Sequence, residues 1–211
     1  MKRLTLLVSL LVSLCACASG SKPYTPPKLP YHSWYIGLAA PRHMEVWVET
    51  VDVLDNRGGA YFEVHSGRAS YARTPQNWPY AGTMMPVNNV DLPQRIFLRW
   101  QSLVEPQSYK IRIPIPQWVR DEMLRPERVF CQGSKEWRND YRKMITLGMA
   151  PGGIVKVWMG GACLDSKEVG RFQAEIEPLG PFRGKSKGQY IRIEPENKAY
   201  VEQQGIPYGS W

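Results

Sequence analysis

The sequence predicts a mainly β chain, an antiparallel β-sandwich or open barrel carrying one short helix. Three observations carry that expectation. Apolar residues alternate with period two through most of the body, the mark of half-buried strands. The 18 Gly and 18 Pro supply frequent turns and interrupt long helices. Only one stretch, residues 116–125, has helical spacing of its apolar positions instead. With 43% hydrophobic and 22% charged residues over 211 positions, the chain is of ordinary globular composition and suits one domain or two small ones.

The strands follow in chain order. Residues 33–39 form the first. In 44–51, Met44, Val46, Val48 and Thr50 share one face, and Glu45, Trp47, Glu49 and Val51 the other. Residues 60–66 give a third. In 95–100, Ile96, Leu98 and Trp100 point inward and Arg95 and Arg99 outward. In 109–113, Tyr109, Ile111 and Ile113 point inward and Lys110 and Arg112 outward. The helix spans 116–125, opened by Pro116 and stopped before Pro126. Ile115, Val119 and Met123 give it a narrow apolar stripe, with Trp118 beside them. Strands 142–149, 154–159 and 168–177 complete the set. Residues 67–93 show no period and carry four prolines. A loop of that length is usually functional or mobile, or its aromatics plug one end of the sandwich. Gly37-Leu38-Ala39 before Val46-Trp47-Val48 is echoed by Gly148-Met149-Ala150 before Val157-Trp158-Met159. The echo suggests two hairpins on one plan, facing across a core, or chance.

The amino terminus sets the expected compartment. Lys2 and Arg3 precede an apolar run from Leu4 to Leu14, too short to span a bilayer but of secretory-signal length. Leu14-Cys15-Ala16-Cys17 resembles the bacterial lipobox. That resemblance implies cleavage after Ala16, lipid attachment at Cys17 and, with Ala18 rather than Asp next, the periplasmic face of the outer membrane. The expected organisation is a signal peptide at 1–16 and a lipidated cysteine with a Pro-rich tether at 17–30. A β-rich domain at 31–178 and a Gly/Pro-rich basic segment at 179–211 follow. Cys131 and Cys163 remain beyond the anchor. In an oxidising compartment they form a disulfide or stay as two buried thiols.

Trp34 to Pro41, Trp100-Gln101-Ser102, and above all Ala150-Pro151-Gly152-Gly153 before Val155-Lys156-Val157-Trp158 resemble a family of proteobacterial lipoproteins of unknown function. The resemblance spans roughly residues 33–175. It implies no catalytic residues, and no cofactor is expected. It implies loosely a role as an immunity protein or inhibitor for a secreted toxin.

Catalytic motifs are absent from the sequence: neither Gly-x-Ser-x-Gly nor His-Glu-x-x-His occurs. His32, His43 and His65 have no local spacing that joins them to Asp52 or Glu63, so they read as isolated surface histidines, and no metal site is expected. Pro151-Gly152-Gly153 reads as a turn, not a phosphate cradle. The basic surface says more. Arg95, Arg99, Lys110 and Arg112 gather on one sheet face, where like charges repel. Either internal acids such as Glu45 and Glu49 offset them, or an acidic partner does. Arg183, Lys185, Lys187 and Arg192 form a second basic run, expected as a solvated loop. Trp78 and Tyr80 of the long loop, beside that basic face, are the expected aromatic anchors for a partner. The functional expectation is a tethered, non-enzymatic binding module. A structural lipoprotein touching peptidoglycan or lipopolysaccharide is the alternative, and a hydrolase without a recognisable motif the distant one. Nucleic acid is not an expected partner.

Overall fold

The fold is that of a computed structural model, which describes residues 25–71 and 83–211. Among these residues the chain forms β1 (Ser33–Ala40), β2 (Val46–Asp55), β3 (Ala60–Arg68), β4 (Ser70–Tyr71), β5 (Thr83–Asn88), β6 (Pro93–Ser102) and β7 (Gln107–Pro114). Helix α1 (Gln117–Leu124) is followed by β8 (Glu127–Cys131), β9 (Glu136–Asp140), β10 (Met144–Ala150), β11 (Ile154–Gly160), β12 (Lys167–Gln173), β13 (Glu175–Ile176) and helix α2 (Pro195–Gln204). Sheet one runs β12-β11-β10-β1-β4, with β5 also on β1, and sheet two runs β13-β7-β6-β2-β3. Neither closes, so the architecture is a sandwich. The pairing is antiparallel except at β1, which is parallel to β10 and to β4. Sheet one is therefore mixed, where sequence alone suggested a wholly antiparallel arrangement.

Period-two alternation builds the core between the sheets. Trp34, Ile36 and Leu38 of β1, Ile145, Leu147 and Met149 of β10, and Val155, Val157 and Met159 of β11 face Val46, Val48, Ile96, Leu98 and Trp100 from sheet two. Burial of each such side chain contributes about 1.5–3 kcal/mol.

Strand β2 departs from simple alternation. Val48 pairs with Trp100, but Thr50 pairs with Arg99 and Val51 with Leu98, so Glu49–Thr50 is a bulge. The extra residue reverses the phase. Val51 and Val53 turn into the core instead of Thr50, whose Oγ1 donates to Asp52 Oδ1 at 2.5 Å.

The two echoed segments differ in structure. β1 leaves sheet one through residues 41–45 and enters sheet two as β2. β10 returns within sheet one as β11. β1 and β10 lie side by side, Ala39 opposite Gly148, rather than across the core. Only the second copy is a hairpin. Its turn needs both glycines: Gly152 and Gly153 have φ of 79° and 73°, and a Cβ on Gly153 would sit 2.8 Å from the Tyr109 ring.

Two further corrections concern 67–93 and the C-terminus. The long stretch contains β5, antiparallel to β1 from Ser33–Asn88 to Leu38–Thr83. Pro86 is tolerated there because β5 lies at a sheet edge. A second helix, α2, follows Pro195. It has almost no amphipathic character, so no apolar stripe announces it. Elsewhere the helix expectation holds, with Ile115, Val119 and Met123 buried under α1.

One end of the sandwich collects the start of β1, the end of β2, the β7–α1 corner and the β8–β9 hairpin. Tyr31 OH donates to Met123 O at 3.2 Å, and its ring meets Tyr141 edge-on at 5.4 Å. The hairpin pairs with neither sheet. The Cys131–Cys163 disulfide, with Cα atoms 5.0 Å apart, ties it to the loop after β11.

Candidate functional site

Alternation from the residue before β2 up to its bulge delivers Glu45 and Glu49 to the outer face of sheet two. Both are covered there by the segment 177–204. Glu45, wholly buried, pairs with Arg68 and accepts hydrogen bonds from the Glu194 N–H and from Asn197 Nδ2, each at 2.8 Å. Glu49 accepts from Arg99 Nε at 2.7 Å, Gln101 Nε2 at 3.0 Å and the Phe182 N–H at 2.6 Å. Gln101 Oε1 in turn accepts from the Ile191 N–H at 2.9 Å. The C-terminal segment is thus docked by backbone donors onto buried acceptors of β2 and β6. Farther on, Tyr208 OH and the Gly152 N–H both donate to Glu105, and Trp211 Nε1 donates to Pro151 O. Burial and the neighbouring Glu105 carboxylate raise the phenol pKa values of Tyr109 and Tyr208.

The four cations expected on this face divide into two pairs. Arg99 lies directly opposite Lys110. This like-charge pair is offset internally, Arg99 by Glu49 and Lys110 by Glu177 at 3.6 Å. Arg95 and Arg112 lie to either side of Phe97, are exposed, and make no ion pair among the described residues. The Arg112 guanidinium stands 5.4 Å from the Phe97 ring centre and that of Arg99 5.9 Å. Internal compensation therefore accounts for half of the cluster only.

These side chains floor a cleft of about 630 Å³. One wall is β3 from Ala60 to Glu63, with Phe62 74% exposed at the rim. The other is Phe182, Arg183 and Lys185. Glu63, Phe182 and Arg183 have φ between 52° and 54°, a left-handed conformation that costs non-glycine residues about 1–3 kcal/mol each and clusters at functional sites. The Phe182 N–H bond to Glu49 helps hold that wall. Two of the three carboxylates lining the cleft are engaged, Glu49 as above and Asp52 by Thr50 and by the Glu63 N–H at 2.9 Å, while the Glu63 side chain itself is exposed on the β3 wall. Arg95, Arg112, Arg183 and Lys185 remain as convergent cations beside aromatic surface. Lys110 lines a smaller depression next door, with Ile111, Phe172 and Glu175.

A family profile matches residues 20–209. The chain belongs to the DUF2931 family, described as proteins of unknown function. Comparison with the curated proteins and with the solved structures finds no match.

Other expected site residues are placed as follows. Cys131 and Cys163 are bonded to each other. Cys17, Trp78 and Tyr80 lie outside the described residues. His65 is buried rather than superficial, because it pairs with Val51 beside the β2 bulge. Its Nδ1 accepts the Ser66 N–H at 2.9 Å and its Nε2 donates to Thr83 O. His43 stacks on Tyr200 at 4.1 Å, with Nδ1 3.2 Å from Asn197 Oδ1. The structure brings no histidine to Asp52 or Glu63 in the cleft, and no group of three or more metal-ligating side chains forms among the described residues. Sequence reasoning missed the contribution of Arg183 and Lys185 to the cleft. Their signal was the acid-free basic run, but nothing local tied it to β6.

Proposed function

We propose that this chain is a lipid-anchored, non-catalytic binding module of the bacterial envelope. It captures an acidic protein partner in the Phe97 cleft. The sharper form of this reading is an immunity protein or inhibitor for a secreted toxin. The observation that carries it is the convergence of Arg95, Arg112, Arg183 and Lys185, free of carboxylate partners, on a concave aromatic floor. Guanidinium forks recognise carboxylates bidentately, and Arg and aromatic side chains dominate protein-binding hot spots. The anchor at Cys17 rests on the amino-terminal sequence.

The test is affinity capture with the full chain, offered envelope extract and the products of neighbouring genes. Arg95→Glu with Arg112→Glu should reduce recovery of a specific partner at least tenfold, about 1.4 kcal/mol or more, and leave the melting temperature unchanged. Recovery insensitive to both reversals would refute the assignment. Binding only to peptidoglycan or lipopolysaccharide, falling steeply with salt, would replace the protein partner with an envelope glycan.

A further inference from the structure

We infer that the end of the sandwich built from α1 and the β8–β9 hairpin rests on the phospholipid surface, with Trp118, Leu124 and Trp137 seated at the interface. The inference rests on the lipid-anchor reading above. It adds an orientation and a second contact surface, separate from the Phe97 cleft.

Three observations converge on this end. The first is where the chain enters. Thr25 O accepts from Arg57 Nη1 at 2.6 Å beside the β2–β3 turn, Leu29 packs against the core, and Tyr31 is fixed between α1 and Tyr141. Residues 18–25, between the acylated cysteine and Thr25, reach at most about 28 Å even when fully extended. A domain held by so short a leash keeps its entry end close to the bilayer.

The second observation is what that end exposes. Trp118 is 44% exposed, Leu124 43% and Trp137 61%. They come from two elements, the helix and the hairpin, that flank the entry point. Large apolar side chains left in water at a chain's anchored end call for a cover. Trp combines an apolar ring with a polar N–H and favours the headgroup region of a bilayer. Arg128 stands 6.0 Å over the Trp137 ring, and Lys135 is exposed on the hairpin turn. Both extend a long apolar stem under a cationic head, which suits anionic headgroups.

The third observation is rigidity. A two-stranded ribbon is marginal on its own in water, yet this one is fixed at both ends. The Cys131–Cys163 bond holds the turn end. The Cys163 N–H donates to Asp140 Oδ2 at 2.9 Å, and Arg142 pairs with Glu127 at the base. Phe130 packs edge-on against Trp137 at 5.7 Å and keeps its ring turned outward. The hairpin therefore presents Trp137 rather than folding it under a sheet.

The experiment uses the full chain, processed in cells supplied with labelled palmitate and reconstituted into phosphatidylethanolamine–phosphatidylglycerol vesicles whose acyl chains carry bromine. Bromine quenches only tryptophans that reach the interface. Emission should fall on reconstitution, and Trp118→Phe with Trp137→Phe should abolish that fall. Both side chains are exposed, so the Phe variants should keep the fold, and circular dichroism of each variant checks this. A palmitate-bearing chain whose emission is not quenched, or is quenched equally in the double variant, overturns the inference and leaves the anchor standing. A chain without palmitate at Cys17 overturns both.

Discussion

Glu45→Ala is expected to destabilise the protein by about 3 kcal/mol and to free the C-terminal segment from sheet two. Breaking a buried ion pair costs about 3–5 kcal/mol because the partner charge is stranded. Arg68 is 32% exposed, so water recovers part of that loss. Against this, the Glu194 N–H and Asn197 Nδ2 lose their shared acceptor, at about 1 kcal/mol each. Glu45→Gln keeps an acceptor and should lose less. Urea unfolding reads the total. Hydrogen exchange reads the location: protection should fall first over 191–204, where backbone donors meet β2 and β6. An unchanged urea midpoint for Glu45→Ala would show that the segment is held by other contacts.

Cys131→Ser, or reduction, is expected to lower stability by about 3–4 kcal/mol, the chain-entropy value for a closed loop of this size. The two cysteines are 32 residues apart, and the loop between them contains β9, β10 and β11. In a chain of this length that loss corresponds to a fall in melting temperature of about 6–16 °C. The hairpin should open before the sheets do, since it pairs with neither. Two carboxylates near its base add to the corner. The Lys167 hydrogen bond, with that of Arg125, holds the Glu122 carboxyl below its ordinary pKa, and Arg142 does the same for Glu127. A melting temperature indifferent to reductant would mean that the bridge constrains little.

The sandwich was legible because its strands bury one face each. Ile96, Leu98 and Trp100, or Ile145, Leu147 and Met149, cannot alternate as they do without a sheet face against a core. The α1 stripe was legible for the equivalent reason at helical period. What escaped was whatever depends on partners distant in sequence. The β2 bulge adds one residue and moves Val51 into the place expected for Thr50, a change decided by register against β6. Strand β5 carries Pro86 and exposed methionines, so it lacks a strand pattern and exists because β1 has an edge. The β8–β9 hairpin has its own turn, Gln132 to Lys135, yet both of its strands face water for much of their length and show no alternation. Helix α2 has its apolar residues, Ala199, Tyr200 and Val201, in one consecutive run rather than a stripe, and is held through Asn197 and the stacking of Tyr200 on His43.

The site was legible by half. Strand period alone put Arg95, Arg99, Lys110 and Arg112 on one face. It did not show that Glu177, from beyond β13, neutralises Lys110, or that Phe182 to Lys185 come back over β2 to close a wall. Those contacts join residues up to 133 positions apart. They turn a flat charged face into a cleft, and with it a repulsive cluster into one paired half and one open half.

The most direct test of the cleft as an anion-recognition site is a titration of the chain with a glutamate-rich peptide, followed through the arginine Nε–H resonances. The account predicts saturable shifts at Arg95, Arg112 and Arg183, weakened by salt and lost in the Arg95→Glu, Arg112→Glu variant. Shifts that do not saturate and spread evenly over all exposed arginines, Arg42 and Arg128 included, would contradict it.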